Sequence, residues 1–442
     1  MKAIDLFCGA GGLSEGFRLA DFDIALGLDM AAHACATHEK NFPEGQTWCR
    51  DITEVTSDEL RGAVEGDLDV LIGGPNCQGV SARGPRDPDD PRNLMFWEYV
   101  RAVEATQPKV FVMENVAGLT HRKNWPLLQE FVARLNALGY RCAGDVVRAA
   151  DFGVPQLRYR FILVGVKDYQ GSITFPKPSH TDVGSLKARS DNRLKPHVTL
   201  SEAISDLPRI LSGGGAEVMP QTFEAESDYQ RWARGNQTVV YNHRTSNTAN
   251  INLERIAEIP EGGNWKDIPQ NLLPPRFFKC RMTDHSTTYA RLRWGHPSFT
   301  LTALFGNVTA GAFTHPEQNR ALSVREGARL HGYPDRFRFM GPLNSQYRQI
   351  GNSVPPLLAK AFGDHIRDFL VSGTFENTGD NPRLNDTFIR NTGWDNVPVL
   401  APRYKGLFGE GTRWPKGWGP EPKDWSSALT DNYRLREPCL ES

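Results

Sequence analysis

The stretch Asp69-Val-Leu-Ile-Gly-Gly-Pro-Asn-Cys-Gln-Gly79 sets a thiol, Cys77, just beyond an apolar run and inside a glycine-rich turn. An unperturbed cysteine titrates near pH ~8.5, so it becomes a useful nucleophile at neutral pH only where its surroundings favour the thiolate. A second apolar run, Lys109–Met113, passes straight into Glu114-Asn115-Val116, and Gln156-Leu-Arg-Tyr-Arg160 leads into Phe161–Val166. In an extended segment Gln156, Arg158 and Arg160 share one face. A thiol, a carboxyl group and a guanidinium brought to one pocket suit attack on an electron-poor ring. An ordinary ion pair between Glu114 and an arginine would use the same residues and is compatible with that chemistry.

The chain opens with Asp5-Leu-Phe-Cys-Gly-Ala-Gly-Gly12, glycines lying between a first apolar run and a first helical segment. Such a turn lets the backbone approach a ligand at the start of a helix. Asp29 closes the next apolar run twenty positions after Gly9, where a carboxylate can take ribose hydroxyls, and Asp51 follows a further short segment, within reach of an adenine amino group. Either acid alone reads as a cap or turn residue. Together with the glycine turn they predict an adenosine-type cofactor. Ser14 stands where a dinucleotide fingerprint wants its third glycine, which disfavours a dinucleotide-dependent oxidoreductase.

These groups need a scaffold. Strand-type runs at Ala3–Phe7, Ile24–Leu28, Asp69–Ile72, Lys109–Met113 and Phe161–Val166 alternate with helical spacing at Leu13–Ala20, Asp58–Ala63, Asn93–Ala105 and Trp125–Leu138. The alternation predicts an α/β fold, a parallel sheet with helices on both faces, binding its ligands beyond the carboxyl ends of the strands. Residues 1–166 read as the cofactor-binding and catalytic domain. Residues 167–318 are turn-rich and polar, a smaller irregular lobe. Helical sequence resumes at Ser323–His331 and Pro355–Leu370, so 319–371 is expected to return to the first domain. The tail, 372–442, carries Trp394, Trp414, Trp418 and Trp425 among Gly, Pro, Asn and Asp and is expected to be loop-like.

Across 442 residues, 51 Lys and Arg against 52 Asp and Glu leave a net charge of −1, which excludes a protein that coats nucleic acid through overall basicity. No apolar run approaches the ~18 residues of a membrane span. Asp5 and Gly9 interrupt what would be the apolar core of a secretory signal, so a cytoplasmic location is expected. The seven cysteines show no zinc-binding spacing, and no metal is expected.

Taken in order, the motifs resemble those of the DNA cytosine-5 methyltransferase family of bacterial modification enzymes. DLFCGAGG is similar to the family's first cofactor motif, GGPNCQG to its nucleophile motif, ENV to the motif bearing the acid, and QLRYR to the paired-arginine motif; SVREGARLHGYPDRFRF and QIGNSVPP resemble the two closing motifs. The resemblance spans roughly Met1–Leu370, with 167–318 matching the variable target-recognition domain. It implies a Rossmann-like S-adenosylmethionine-dependent methyltransferase sheet. The implied reaction carries a methyl group from S-adenosyl-L-methionine to C5 of a flipped cytosine in a specific duplex site, leaving S-adenosyl-L-homocysteine. Cys77 would add to C6, Glu114 would contact N3 and the exocyclic amine, Arg160 would hold O2 and Arg158 would order Glu114. Phe7, Gly9, Gly11, Gly12, Asp29, Met30, Asp51, Ile52, Leu94, Asn352 and Val354 would line the cofactor site, and Ser81 would touch the target phosphate. The implied partners are double-stranded DNA, which would hold the enzyme at the nucleoid, and a cognate restriction endonuclease acting separately; a monomer is expected.

Arg276, Lys279, Arg281, Arg291 and Arg293 outnumber the single acid Asp284 in their stretch and are interleaved with Phe277, Phe278 and Tyr289, a pattern that predicts phosphate contacts, with Arg83 in the loop after Cys77 as a further candidate. One departure stands out. The family writes Pro-Cys at the nucleophile, whereas here Asn76 precedes Cys77 and Pro75 lies one place earlier. Asparagine frees the loop and brings an amide beside the thiol. The alternatives to an active enzyme are therefore a DNA-binding homologue with weakened chemistry and a modifier adapted to a changed cofactor or base. A relative acting on transfer RNA is disfavoured by the long middle segment and by the absence of that branch's short Cys-Phe-Thr signature.

Overall fold

The computed structural model describes residues 1–75, 94–120, 124–182, 193–280, 285, 287–376 and 384–385. The first of these build a sheet from β1 (Lys2–Leu6), β2 (Asp23–Asp29), β3 (Gln46–Cys49), β4 (Val70–Gly73), β5 (Val110–Val116), β6 (Tyr140–Arg148) and β8 (Tyr159–Lys167), with β7 (Gln156–Leu157) a two-residue strand pairing elsewhere. The sheet order is β6-β8-β5-β4-β1-β2-β3, with Leu384–Asn385 added beyond β6. Strands β3, β2, β1, β4 and β5 run parallel; β8 runs antiparallel to both β5 and β6. The all-parallel expectation therefore fails at Phe161–Val166. The direct β6-to-β8 connection is too short for a helical crossover, so β8 returns antiparallel beside β6.

Alternation along the buried strands feeds two cores. Val70, Ile72, Val110 and Val112 join the side covered by α1 (Gly12–Leu19) and the helix Pro356–Ser372, while Leu71, Phe111 and Met113 join the side covered by α3 (Ser57–Gly62), α4 (Leu94–Thr106) and α5 (Trp125–Ala137). Small residues let α1 and Pro356–Ser372 meet closely: a Cβ added at Gly16 would lie 2.3 Å from that of Ala359, and one at Gly363 would lie 2.7 Å from that of Ala20. The helix α2 (Ala32–Asn41) and strands β3 and β6 carry weaker periodicity, which leaves them without a clear signal in the sequence.

The middle segment contributes to two cores rather than one. Leu200, Ala203, Tyr229 and Val240 belong to the same apolar cluster as Val324 and Ala328 of the helix Val324–Leu330, whereas Ile256, Trp265, Phe277, Tyr289 and Val308 form a small cluster of their own. Buried ions bind the first group together. Arg329 bonds Asp335 at 2.6 Å and also pairs with Asp206, and Arg320 clasps Glu326 at 2.6 and 2.8 Å. Because both partners of each pair are buried, removal of either would strand a charge.

Candidate active site

Five successive parallel strands end along one edge, and the candidate residues follow those ends: Phe7 and Gly9 after β1, Asp29 at the end of β2, Asp51 beyond β3, Gly74 and Pro75 after β4, and Glu114 near the end of β5. The reversal of β8 brings Arg160, near its start, to that same edge, opposite Val116 and diagonal to Glu114.

Glu114 is 9% exposed, and its Oε1 pairs with Arg160 Nε at 2.6 Å. Burial raises its pKa, while the Arg160 and Arg158 charges and the Arg160 bond oppose the rise. Its Oε2 has no hydrogen-bond partner among the described residues, and a Cβ added at Gly74 would sit 3.2 Å from it, so a glycine there leaves that oxygen room. Arg160 Nη1 donates to Tyr159 O at 2.7 Å, leaving Nη2 without a partner among the described residues.

Arg158, whose charge also acts on Glu114, makes a further set of bonds. It is 1% exposed and donates to Leu301 O at 2.8 Å, Gly351 O at 2.9 Å and Ser353 O at 3.1 Å. The last two carbonyls flank Asn352, so Arg158 fixes the loop that presents Asn352, and the direct partner of Glu114 is Arg160. Gln156 works alongside, donating to Leu330 O and accepting from Leu301 N, both at 3.0 Å.

Asn115, next to the acid, carries no chemistry that its sequence context displays. Its Nδ2 donates to Pro75 O at 3.0 Å, tying the end of β4 to β5 immediately before the candidate nucleophile. Asn76, Cys77, Ser81 and Arg83 lie outside the described residues, as does Arg281. Among the described cysteines, burial pushes the Cys8 and Cys35 thiols up, so neither offers a ready thiolate.

Toward the other end of the edge, Asp29 Oδ2 accepts from Gly9 N at 2.9 Å and Oδ1 from Ala31 N at 2.8 Å, which pins the glycine turn to β2. Phe7 adopts φ 57°, a left-handed backbone uncommon for a non-glycine residue and most often kept where a site needs it. Gly9 has φ 53°, and nothing lies within 4 Å of a Cβ added there. Gly11 and Gly12 are also required by packing: a Cβ at Gly11 would lie 2.5 Å from the Phe42 ring, and one at Gly12 2.3 Å from Val354 O. Asp51 Oδ1 accepts from Thr53 N and Oγ1 at 3.0 and 2.9 Å, leaving Oδ2 without a partner among the described residues. Met30 and Leu94 are 70% and 45% exposed, Asn352 is exposed, and Ile52 and Val354 are buried. An open glycine, a carboxylate oxygen without a partner and exposed apolar side chains fit a ligand with a polar sugar and a flat base.

The basic stretch divides. Arg276 and Lys279 are exposed beside Phe278, which is 57% exposed, whereas Arg291 is buried and donates to Ile259 O at 2.7 Å, His315 O at 2.9 Å and Ile256 O at 2.5 Å. A guanidinium so engaged holds the small cluster together and has little left for phosphate, contrary to the expectation for Arg291. Arg293 is half-buried, in the space a side chain at Gly262 would fill. Among the described residues no group of His, Cys, Asp or Glu is arranged to hold a metal, and no helix is long and apolar enough to cross a membrane.

A model of the family described as "C-5 cytosine-specific DNA methylase" matches residues 1–368. The chain is 38% identical to the Type II methyltransferase M1.HphI of Haemophilus parahaemolyticus, over 82% of this chain and 86% of that protein. To the Type II methyltransferase M.AgeI of Thalassovita gelatinovora it is 35% identical, over 83% of this chain and 99% of that protein. Among solved structures, a DNA modification methyltransferase encoded within a prophage (E. coli) superposes with a TM-score of 0.67 at 25% identity, covering 84% of this chain and all of that one.

Proposed function

This chain belongs to the C-5 cytosine-specific DNA methylase family and is a DNA cytosine-5 methyltransferase; on that premise we propose how its strand-end edge carries out the reaction. Cys77 adds to C6 of a cytosine swung out of the duplex, which makes C5 nucleophilic, and loss of the C5 proton after methylation expels the thiolate. Glu114 meets N3 and the exocyclic amine through the oxygen left open beside Gly74. Burial raises its pKa, which eases its sharing of a proton with N3 as electron density builds in the ring. Arg160 holds Glu114 through Nε and has Nη2 for the cytosine O2. Asn115, through Pro75, anchors the segment that leads to Cys77, and Arg158 acts as a positioning residue for Asn352.

The cofactor we propose is S-adenosyl-L-methionine, which supplies the electrophilic methyl group. Gly9 and Asp29 would receive its sugar, Asp51 its adenine amine, and Met30, Ile52 and Leu94 the apolar base faces. The substrate is duplex DNA, and the Type II names of the relatives support a modification role beside a separately acting endonuclease.

The observation that carries the catalytic assignment is the buried Glu114, paired to Arg160 on one oxygen and open on the other. Trapping on duplex DNA containing 5-fluorocytosine tests it. Wild-type protein with the methyl donor should form a denaturant-resistant DNA complex that Cys77→Ala abolishes and Glu114→Gln greatly slows. DNA binding without trapping, and without 5-methylcytosine by bisulfite sequencing, would establish instead the weakened homologue that Asn76 suggests.

A further inference from the structure

The helix Leu343–Asn352 and two stretches of the middle segment, 246–252 and 303–308, border a cavity of about 400 Å³ that none of the sequence motifs identifies. That volume lies within the usual range of small-ligand sites. Its polar lining includes Asn247, Asn252, Asn307, Asn344 and Arg348, and no carboxylate appears among its lining residues.

Hydrogen bonds fix which way two of the amides face. Asn252 Oδ1 accepts from Arg255 Nη1 at 3.0 Å and from Tyr289 OH at 2.8 Å. Asn307 Oδ1 accepts from Thr309 N at 2.9 Å and from its Oγ1 at 3.0 Å. An arginine or a backbone N–H can only donate, so the oxygen end of each amide is committed and the Nδ2 end is the one left over. Neither Nδ2 has a partner among the described residues, and neither does the exposed Arg348 guanidinium. The cavity is thus rich in donors and carries one positive charge, with the apolar Leu304, 49% exposed, in its lining. A ligand suited to it is anionic and rich in acceptors, with a flat apolar face.

Arg348 also lies one helical turn from Asn352 on the same helix, about 6 Å along the axis. One lining residue of the cavity is thus a helical neighbour of Asn352.

We propose that this cavity is a nucleotide subsite for the DNA substrate, in which Arg348 takes a backbone phosphate and the Asn252 and Asn307 amino groups take acceptor atoms of one base. The assignment rests on the methyltransferase reading and adds to it a place where the duplex is gripped away from the reacting cytosine. Purine N7 and O6 in the major groove are acceptors of the required kind, and they differ between base pairs, so the subsite would contribute to the choice of sequence.

The test uses the full chain with Arg348→Gln, which removes the charge, and Asn307→Asp, which keeps an oxygen for Thr309 but replaces the free donor with a carboxylate. Fluorescence anisotropy on a labelled duplex, repeated across a salt titration, should show affinity falling roughly tenfold or more in each variant, with the Arg348→Gln salt slope reduced by about one phosphate contact. Binding of S-adenosylmethionine should stay at the wild-type level, reporting an intact fold. Bisulfite sequencing should show Asn307→Asp redistributing methylation among sequence contexts. Wild-type DNA affinity and salt slope in both variants would overturn the subsite, as would loss of affinity for free mononucleotides or peptides with duplex binding unchanged. Failure of the catalytic reading looks different: pocket-dependent DNA binding would persist in a wild-type protein that transfers no methyl group.

Discussion

Replacing Arg158 by alanine separates a support for the loop around Asn352, where we propose the cofactor binds, from a member of the reacting set. The guanidinium is buried and supplies donors to the carbonyls of Leu301, Gly351 and Ser353. Each carbonyl left without a donor in the interior costs about 1–3 kcal/mol. The sum is an upper bound, because the three share one donor group and because deleting a buried cation also removes its own desolvation penalty. A net loss of roughly 3–5 kcal/mol follows, against the ~5–15 kcal/mol that holds a typical domain together, so the variant should remain folded but with a much lower urea midpoint. The carbonyls on both sides of Asn352 lose their anchor at the same time, so affinity for S-adenosylmethionine should fall with stability. Arg158→Lys keeps the charge and should recover part of both. Arg160→Ala provides the contrast: it should lose single-turnover methyl transfer while retaining cofactor affinity. The measurements are urea unfolding, cofactor titration calorimetry and single-turnover methylation on the same preparations. An Arg158→Ala protein within about 1 kcal/mol of wild type, with unchanged cofactor affinity, would refute the reasoning.

Gly351→Ala would set a Cβ 2.4 Å from Ala303 N and from the Thr302 carbonyl carbon, so it should cost roughly 1–3 kcal/mol in thermal or urea unfolding and weaken cofactor binding. Arg291→Ala should destabilise the fold by roughly 3 kcal/mol with little direct effect on DNA contacts, whereas Arg276→Ala should leave the unfolding midpoint nearly unchanged and lower DNA affinity and its salt slope. Two buried groups joined through Ser14 should give opposite pH dependences: burial raises Asp5 to about 7 and lowers His38 to about 4. The folded chain keeps a proton on Asp5 that the unfolded chain releases, so that contribution is present at low pH and is lost as pH rises towards 7. It keeps His38 neutral where the unfolded chain would protonate it, so that contribution is present above about pH 6.5 and is lost as pH falls towards 4. In urea unfolding across this range, Asp5→Asn should therefore gain stability relative to wild type as pH rises, and His38→Gln should gain as pH falls; parallel curves for the two variants would contradict both shifts.

Why parts of the site were legible in the sequence, and others not, follows from the kind of interaction each residue makes. Glu114 and the glycine turn sit at the ends of apolar runs, and a strand end is a local feature that a single stretch of sequence displays. The partnership of Arg160 with Glu114 is of another kind. A wholly parallel sheet would put the start of the Phe161–Val166 run at the edge opposite the end of β5, so convergence of the two groups requires the reversal of β8, which no periodicity within that run reveals. The roles of Arg158 and Arg291 were hidden for a related reason. Both arginines read as cations seeking an anion, yet each is taken up by backbone carbonyls from segments distant in the chain, and such acceptors have no residue signature. The same holds for the cavity beside Arg348. Its asparagines look like turn residues, and only the bonds that occupy Asn252 Oδ1 and Asn307 Oδ1 turn them into oriented donors. A basic stretch is therefore a poor guide to where this protein meets phosphate, because an arginine that already holds three carbonyls is electrostatically present but geometrically committed. On the proposal made above, Arg348, outside the stretch that charge counting selects, joins Arg276 and Lys279 as an exposed cation whose donors the fold leaves for DNA.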